Sequence, residues 1–237
     1  MSATSLARLC WSLLCLLLVN AAGATGIVRQ SYTGEARDRA GVLLYTEKHV
    51  VSSLEGRTTH SLTEYRAGDG SLIATLSADY SRSVAMPTYV FEDLRLKYRE
   101  GLRLEAGEHI IFRQEGDAPE QSARLESESG VFSCQGWHYY LVNNLELLEK
   151  ERITLNLILP SQLRPYPFVV KKLQSDEAQV SAELSLKHRL FRHFAPKLRL
   201  RYDKVNRRLI EFQGASNILD RNGDRQDVTL LYSYERS

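Results

Sequence analysis

Apolar and polar residues alternate along most of the chain, most clearly in its second half. Alternate positions of QVSAELSLK are apolar, namely Val180, Ala182, Leu184 and Leu186. The same period recurs at Leu198, Leu200 and Tyr202, and at Leu155, Leu157 and Leu159 before Pro160. A period of two places alternate side chains on opposite faces of a pleated strand. These segments therefore predict strands with one buried face and one solvated face.

Turn residues separate the alternating segments. Asp69-Gly70 predicts a type I′ hairpin turn, and Asn222-Gly223 predicts a second turn near the end of the chain. Residues 115–130 are polar and acidic and predict a surface loop with a short strand near Ala123. The pattern as a whole predicts about nine to eleven antiparallel strands.

One segment, FSCQGWHYYLVNNLELL at residues 132–148, has a helical period instead. Its apolar residues recur at steps of three and four, at Trp137, Leu141, Leu145 and Leu148. Ser133 can cap the start, and the pattern predicts a helix near residues 134–149. A sheet with one apolar face must bury that face against another layer. The predicted fold is therefore mainly β (α+β), a strongly curved antiparallel sheet or incomplete barrel wrapped around one main helix.

The N-terminus has the three parts of a secretory signal peptide. Arg8 is positive, Leu9 to Val19 are apolar, and Ala22-Gly23-Ala24 is a small-residue cleavage pattern. The apolar run is shorter than the ~20 residues of a spanning helix, which disfavours a membrane anchor. We therefore predict a signal peptide at 1–24, a single β-rich domain at 25–237 and a periplasmic location, with no transmembrane segment after cleavage.

Composition and charge narrow the function classes. The chain has 237 residues, 43% of them hydrophobic and 25% charged, with a formal net charge of +2. This balance fits a globular domain and gives a weak overall field, so we expect no nucleic-acid partner. Cleavage would leave Cys134 as the single cysteine, which excludes an internal disulfide.

Cys134 and His138 lie one helical turn apart, close enough to share a proton. Cysteine catalysis requires a thiolate, and neither an orienting third group nor an oxyanion-hole motif is visible near this pair. Free cysteine is also among the residue types most often buried. The sequence favours a core cysteine and no enzyme activity, with catalysis by Cys134 and His138 as the remote alternative.

The chain contains one further candidate site, in a basic segment. The basic segment 187–208 places Lys197, Arg199 and Arg201 on one strand face, where they could contact an anionic headgroup. The simpler interpretation, which we favour, is a solvated hairpin face balanced by the acidic loop 115–130. Scattered histidines and the absence of HxH, HExxH or CxxC spacing predict no metal site, and no cofactor is expected.

Three blocks of the chain together resemble a family of uncharacterised β-rich envelope proteins of Gram-negative bacteria. The blocks are GWHYYLVNNLELL, ITLNLILPSQLRPYPF and RYDKVNRRLIEFQGASNI, and the resemblance extends over most of the mature chain. It implies no assigned activity. More loosely, a curved sheet around a helix is similar to the half-barrels of periplasmic lipoprotein carriers, which is a likeness of fold alone.

These observations lead to one main functional hypothesis. The chain is predicted to be a non-enzymatic periplasmic binding or carrier module for a lipid or other apolar ligand. The ligand would lie between sheet and helix, against Trp137 and Tyr140, with Lys197, Arg199 and Arg201 at its headgroup. The alternative is a structural or protein-interaction protein of the envelope with a solid core. An outer-membrane barrel is disfavoured because the strands carry dense charge.

Overall fold

A computed structural model describes residues 26–149, 152–187 and 197–235 of the chain. The predicted signal peptide at 1–24 lies outside the described residues, as does part of the basic segment. In the first half of the chain the strands are β1 (Ile27–Arg37), β2 (Leu43–Leu54), β3 (Arg57–Ala67), β4 (Leu72–Asp79), β5 (Thr88–Asp93), β6 (Tyr98–Glu105), β7 (Glu108–Glu115) and β8 (Gln121–Arg124).

The second half contains the helical segments and the remaining strands. After β9 (Val131–Phe132) come helix α1 (Gly136–Asn143) and a 3₁₀ helix (Leu145–Glu149). The chain continues through β10 (Arg152–Leu159), a 3₁₀ turn (Pro160–Gln162), β11 (Arg164–Ser175), β12 (Gln179–Leu186), β13 (Leu198–Asp203), β14 (Arg208–Ala215) and β15 (Asp227–Tyr234).

All fifteen strands of the described residues belong to one sheet, in the order β8-β7-β6-β5-β4-β3-β2-β1-β15-β14-β13-β12-β11-β10-β9. Neighbouring strands are antiparallel except for β9 and β10, which are parallel. The sheet curves until the 3₁₀ turn Pro160–Gln162 contacts β6 and β7, although the edge strands β8 and β9 do not pair. The predicted mainly-β fold, an incomplete barrel with one main helix, is confirmed.

The described residues form fifteen strands, more than the predicted nine to eleven, and two of their hairpin turns pair a glycine with a non-glycine residue of positive φ. Glu55-Gly56 joins β2 to β3, and Ala106-Gly107 joins β6 to β7. Both residues of each pair have positive φ, the geometry of a type I′ turn. Non-glycine residues are uncommon in that region, so Glu55 and Ala106 were not identified as turn residues from the sequence.

The prediction of a type I′ turn at Asp69-Gly70 was wrong. Gly70 has a φ of +85°, but Asp69 is not among the residues with positive φ. The loop has three residues, because the Ala67 amide donates to the Ser71 carbonyl over 2.9 Å. Asp69 instead accepts hydrogen bonds from the Ser71 amide and hydroxyl at 2.9 and 2.6 Å.

Helix α1 begins later and ends earlier than the predicted 134–149. Ser133 Oγ accepts from the Gly136 amide at 3.0 Å, so the serine satisfies a free donor at the helix start, as predicted. The α-helix stops before Asn144, whose side-chain amide donates to the Tyr140 carbonyl at 2.8 Å. The segment then continues as the 3₁₀ helix, because Asn144 has a non-helical backbone conformation.

Two clusters of buried side chains make up the core. The first lies mainly on β2 to β7 and includes Tyr45, Tyr65 and Phe91. The second packs Leu141, Leu145 and Leu148 of the helical segment against β10 to β14. Phe212 and Tyr232 pack against both clusters, so they mark the boundary between the two halves of the curved sheet.

Candidate ligand-binding cavity

A partly open cavity of about 330 Å³ lies between the two core clusters. Its lining includes an apolar set, here called the leucine wall, of Leu157, Leu159, Phe168, Leu184, Leu198, Leu200, Leu209 and Phe212. It also includes a set of phenols, here called the tyrosine wall, of Tyr32, Tyr45, Tyr65, Tyr80, Tyr139, Tyr232 and Tyr234. Small-molecule sites typically have volumes of about 300–1,000 Å³, so the cavity is large enough for a small ligand.

Strand pairing places three polar residues together within the tyrosine wall. Glu47 and His49 occupy alternate positions of β2, so both side chains point to the inner face, whereas Lys48 between them is exposed. Thr63 of β3 lies directly opposite His49. Cross-strand partners share a face and have neighbouring side chains, which brings all three groups into contact.

These three side chains form a hydrogen-bonded trio, Glu47–His49–Thr63. His49 Nε2 lies 2.8 Å from Glu47 Oε2, and His49 Nδ1 lies 2.9 Å from Thr63 Oγ1. When the Glu47 side chain is an ionised carboxylate it only accepts, and Nε2 then carries the proton. In the neutral ring, Nδ1 then accepts from the Thr63 hydroxyl. Glu47 and Thr63 are each 4% exposed, so the trio is a polar group inside the core.

Aromatic rings surround the trio. The Tyr32 ring stacks on His49 with centroids 4.3 Å apart and an interplanar angle of 6°, and it also stacks on Tyr234 at 4.7 Å. Tyr232 meets His49 edge to face at 5.8 Å. Burial raises the pKa of both Tyr32 and Tyr232 well above the ordinary value, so these phenols are neutral at physiological pH.

A glycine on β1 makes room for the carboxylate. Gly34 pairs with Glu47 on one side and with Tyr232 on the other. A Cβ at this position would lie 3.0 Å from Tyr232 Cε1 and 3.3 Å from Glu47 Oε2. The missing side chain therefore lets the Glu47 carboxylate and the Tyr232 ring approach the strand together.

Two other phenols of the tyrosine wall are held by residues that follow β14. The Tyr45 hydroxyl and Ser216 Oγ are 2.7 Å apart, and Asn217 Nδ2 donates to the Tyr65 hydroxyl at 3.1 Å. These bonds fix the orientations of both rings. The polar side of the cavity is thus built mostly from phenols whose positions are set by specific partners.

The two helix residues predicted to contact a ligand have different surroundings. Trp137 lines the cavity. Tyr140 does not; its ring lies 4.8 Å from that of Phe132, and it packs against the second core cluster. Because Tyr140 lies three positions beyond Trp137, it belongs to the same helical stripe but lies beyond the cavity.

Lys197, Arg199 and Arg201 do not reach the cavity. They alternate with Leu198 and Leu200, which line it, so the three basic side chains are on the outer face of β13. Lys197 Nζ lies 3.3 Å from Glu183, and Arg201 pairs with Glu211. The balancing acids are therefore on neighbouring strands, and the expectation that loop 115–130 supplies them was wrong.

Cys134 and His138 lie next to different groups. Cys134 Sγ donates to the Ile158 carbonyl at 3.0 Å, and burial raises its pKa to about 12. The His138 ring lies 6.0 Å from that of Tyr202, nearly parallel to it, and burial lowers its pKa to about 4. At neutral pH the thiol is protonated and the imidazole is neutral, whereas nucleophilic catalysis needs a thiolate.

The sequence interpretation missed the Glu47–His49–Thr63 trio, although one signal was present. Tyr45, Glu47, His49 and Val51 share a parity in LLYTEKHVVSSL, so a Glu and a His occupy positions of the buried face. Buried charged residues are rare unless paired, which makes such positions candidates for a site. The partnership with Thr63 depends on the register of β2 and β3.

The described residues contain no group of three or more His, Cys, Asp or Glu that could hold a metal ion. Within the same ranges, the helices are too short or too polar to cross a membrane.

Comparison with known proteins yields one structural likeness. No protein-family model and no curated protein matches the chain. A β-barrel-like protein of the domain of unknown function DUF1849 from Brucella abortus is structurally similar, with a TM-score of 0.43 and 10% identity over 89% of this chain and 98% of that chain. At this level of similarity, no residue role passes from that protein to this one.

Proposed function

We propose that the protein is a non-enzymatic periplasmic binding or carrier module for a small amphipathic ligand. The observation that carries this proposal is the partly open cavity, whose lining combines the apolar leucine wall with the phenols of the tyrosine wall. A sheet packed shut on its helix would leave no space for a ligand, and here about 330 Å³ is present. Apolar cavities with a few convergent polar groups are typical of small-molecule sites.

The two walls suggest how a ligand would be held. An apolar body against the leucine wall would gain roughly 25 cal/mol for each Å² removed from water. Hydrogen-bonding groups of the tyrosine wall would fix the orientation of the other end. This division supports an amphipathic ligand rather than a purely apolar one. The basic residues of β13 have no part in this arrangement, because they are on the outer face.

The non-enzymatic part of the proposal rests on the state of Cys134. Its thiol is protonated and donates to a backbone carbonyl, so the Cys134–His138 pair lacks a nucleophile. The periplasmic location rests on the signal-peptide pattern at the N-terminus.

The second candidate, an envelope interaction protein with a solid core, has weaker support. It would need an accessible sheet edge or an apolar patch. The edge strands β8 and β9 are four and two residues long, and β8 carries an exposed arginine. Ile27, Val28 and Leu54 are exposed where β1 begins and β2 ends. These exposed side chains support an interaction protein, but a solid core would lack the cavity, so we place this candidate second.

The proposal is tested with a variant in which a larger side chain fills the cavity. Wild-type protein should bind N-phenyl-1-naphthylamine, a neutral fluorescent probe, and decanol should displace it. Ala215 lines the cavity and is half-buried, so Ala215→Phe should place a ring inside and weaken probe binding about tenfold or more. Ala178→Phe, at an exposed turn, is the matched control and should bind like wild type. No probe binding by folded wild type, or equal binding by Ala215→Phe, would overturn the proposal.

A further inference from the structure

The charges that line the cavity limit the kind of ligand. Among the described residues that line it, Glu47 is the one carboxylate, and none is Lys or Arg. Glu47 is 4% exposed, the basic residues of β13 point outward, and the Arg208 guanidinium of β14 lies over the Tyr234 ring without itself lining the cavity. A ligand in the cavity therefore meets a negative or neutral polar end rather than a positive one.

Glu47 has capacity for a further partner. Its Oε2 accepts from His49, while its other oxygen, Oε1, accepts no hydrogen bond from the described residues. Glu47 lines the partly open cavity, and its Oε1 is not among the fully buried side-chain atoms of the described residues that lack a partner, so this oxygen is accessible from the cavity. A ligand placed there can therefore donate a hydrogen bond to it.

We propose that the Glu47–His49–Thr63 trio binds the protonated amine head of an amphipathic ligand whose apolar body lies against the leucine wall. This inference rests on the proposed function and names its ligand class. An ammonium group would donate to Glu47 Oε1. Another of its hydrogens would reach Thr63 Oγ1, whose lone pairs are available when the hydroxyl donates to His49 Nδ1.

One neighbouring ring favours a cation as well. Tyr32 is stacked between His49 and Tyr234, and Tyr234 already has the Arg208 guanidinium over its ring, whereas Tyr232 meets His49 edge to face. Tyr232 is therefore the ring beside the trio that can attract an ammonium group. An anionic head would instead approach the Glu47 carboxylate in surroundings of lowered dielectric, where like charges repel strongly. Decanoate and decylamine differ mainly in the charge of the head group. Comparing their affinities therefore shows whether the cavity prefers a cationic or an anionic head.

The experiment compares decylamine, decanol and decanoate as competitors for N-phenyl-1-naphthylamine at pH 7, each below its micellar concentration. With wild type, decylamine should bind at least about tenfold more tightly than decanol, because it adds a charge-assisted hydrogen bond, and decanoate should bind most weakly. Equal binding of the three would overturn the amine proposal and leave the cavity proposal standing. No binding of any of them would overturn both.

Glu47→Gln tests the carboxylate itself, because glutamine keeps the shape and removes the charge. Decylamine should then bind within about threefold of decanol, while decanol binding stays unchanged. Glu64→Gln, on the outer face of β3, is the matched control and should keep the preference. A Glu47→Gln protein that still prefers decylamine tenfold would contradict the assignment. If the Glu47→Gln protein does not fold, the order of affinities of the three ligands for the wild-type protein decides whether the amine proposal stands.

Discussion

Single residues control the chemistry of the cavity through the alternation of the strands. On β2, Glu47 and His49 face inward and Lys48 faces outward, so a shift of one residue would exchange them. Gly34 on β1 leaves the space that the Glu47 carboxylate occupies. The trio is thus a consequence of register: the same residue types one position later would lie in solvent.

Cys134 should be inert while the protein is folded. Its pKa of about 12 leaves roughly one thiol in ten thousand ionised at pH 8, whereas a free cysteine with a pKa near 8.5 is ionised to about a quarter. We expect iodoacetamide to alkylate the folded protein about a thousandfold more slowly than the protein in urea, as followed by intact mass. Ser122→Cys, on exposed β8, supplies a reactive control in a Cys134→Ser background. Rapid labelling of folded Cys134 would contradict the protonated-thiol assignment.

Some of these residues could be predicted from the sequence, and others could not. Ser133 and Trp137 were predicted because a helix start and a helical stripe are local features. His49 and Thr63 are fourteen positions apart in the sequence, so their contact depends on the register of the β2–β3 hairpin. The turn at Glu55-Gly56 and a bulge near Ser52 determine that register. The residue types alone do not show which turn a hairpin adopts or where a bulge lies. The register of β2 and β3, and therefore the trio, could not be predicted from the sequence.

At the scale of elements, helix α1 is positioned by backbone contacts with the loop between β4 and β5. The Ser133 amide donates to the Ala85 carbonyl at 3.0 Å. A Cβ on Gly136 would lie 1.9 Å from the same carbonyl oxygen, a distance no real Cβ adopts. The helix start therefore requires glycine for close approach, and Trp137 and His138 reach the cavity from that fixed point.

Gly136→Ala should accordingly destabilise the protein although alanine is the better helix former. The added Cβ would clash with the backbone of Val84 and Ala85, which cannot rotate away as a side chain can, so the helix would have to move. We therefore expect the free energy of unfolding to fall by about 3 kcal/mol or more. Urea denaturation followed by circular dichroism measures it. Gly68→Ala is the control, because its Cβ would meet no atom within 4 Å. Equal stability of the two variants would show that the helix is not held at Ala85.

At the scale of the whole molecule, the architecture was predictable because it follows from patterning. Period-two segments predicted a one-sided sheet, and a single helical segment was available to cover it. The cavity was not predictable in the same way. It lies between two core clusters built from strands that are far apart in the chain, with Phe212 and Tyr232 packed against both clusters.

We expect the protein to be exported and its signal peptide to be removed. Arg8, the apolar run from Leu9 and the small residues at 22–24 predict cleavage after Ala24, which removes Cys10 and Cys15. Protein purified from its own cell envelope should therefore start at Thr25, as intact mass and N-terminal sequencing can show, and should titrate as one thiol per chain in urea. Ala24→Leu places a large side chain at the cleavage position, so this variant should accumulate as the uncleaved chain with three thiols. A native protein that keeps its first 24 residues would contradict the signal-peptide prediction and, with it, the periplasmic location of the proposed carrier.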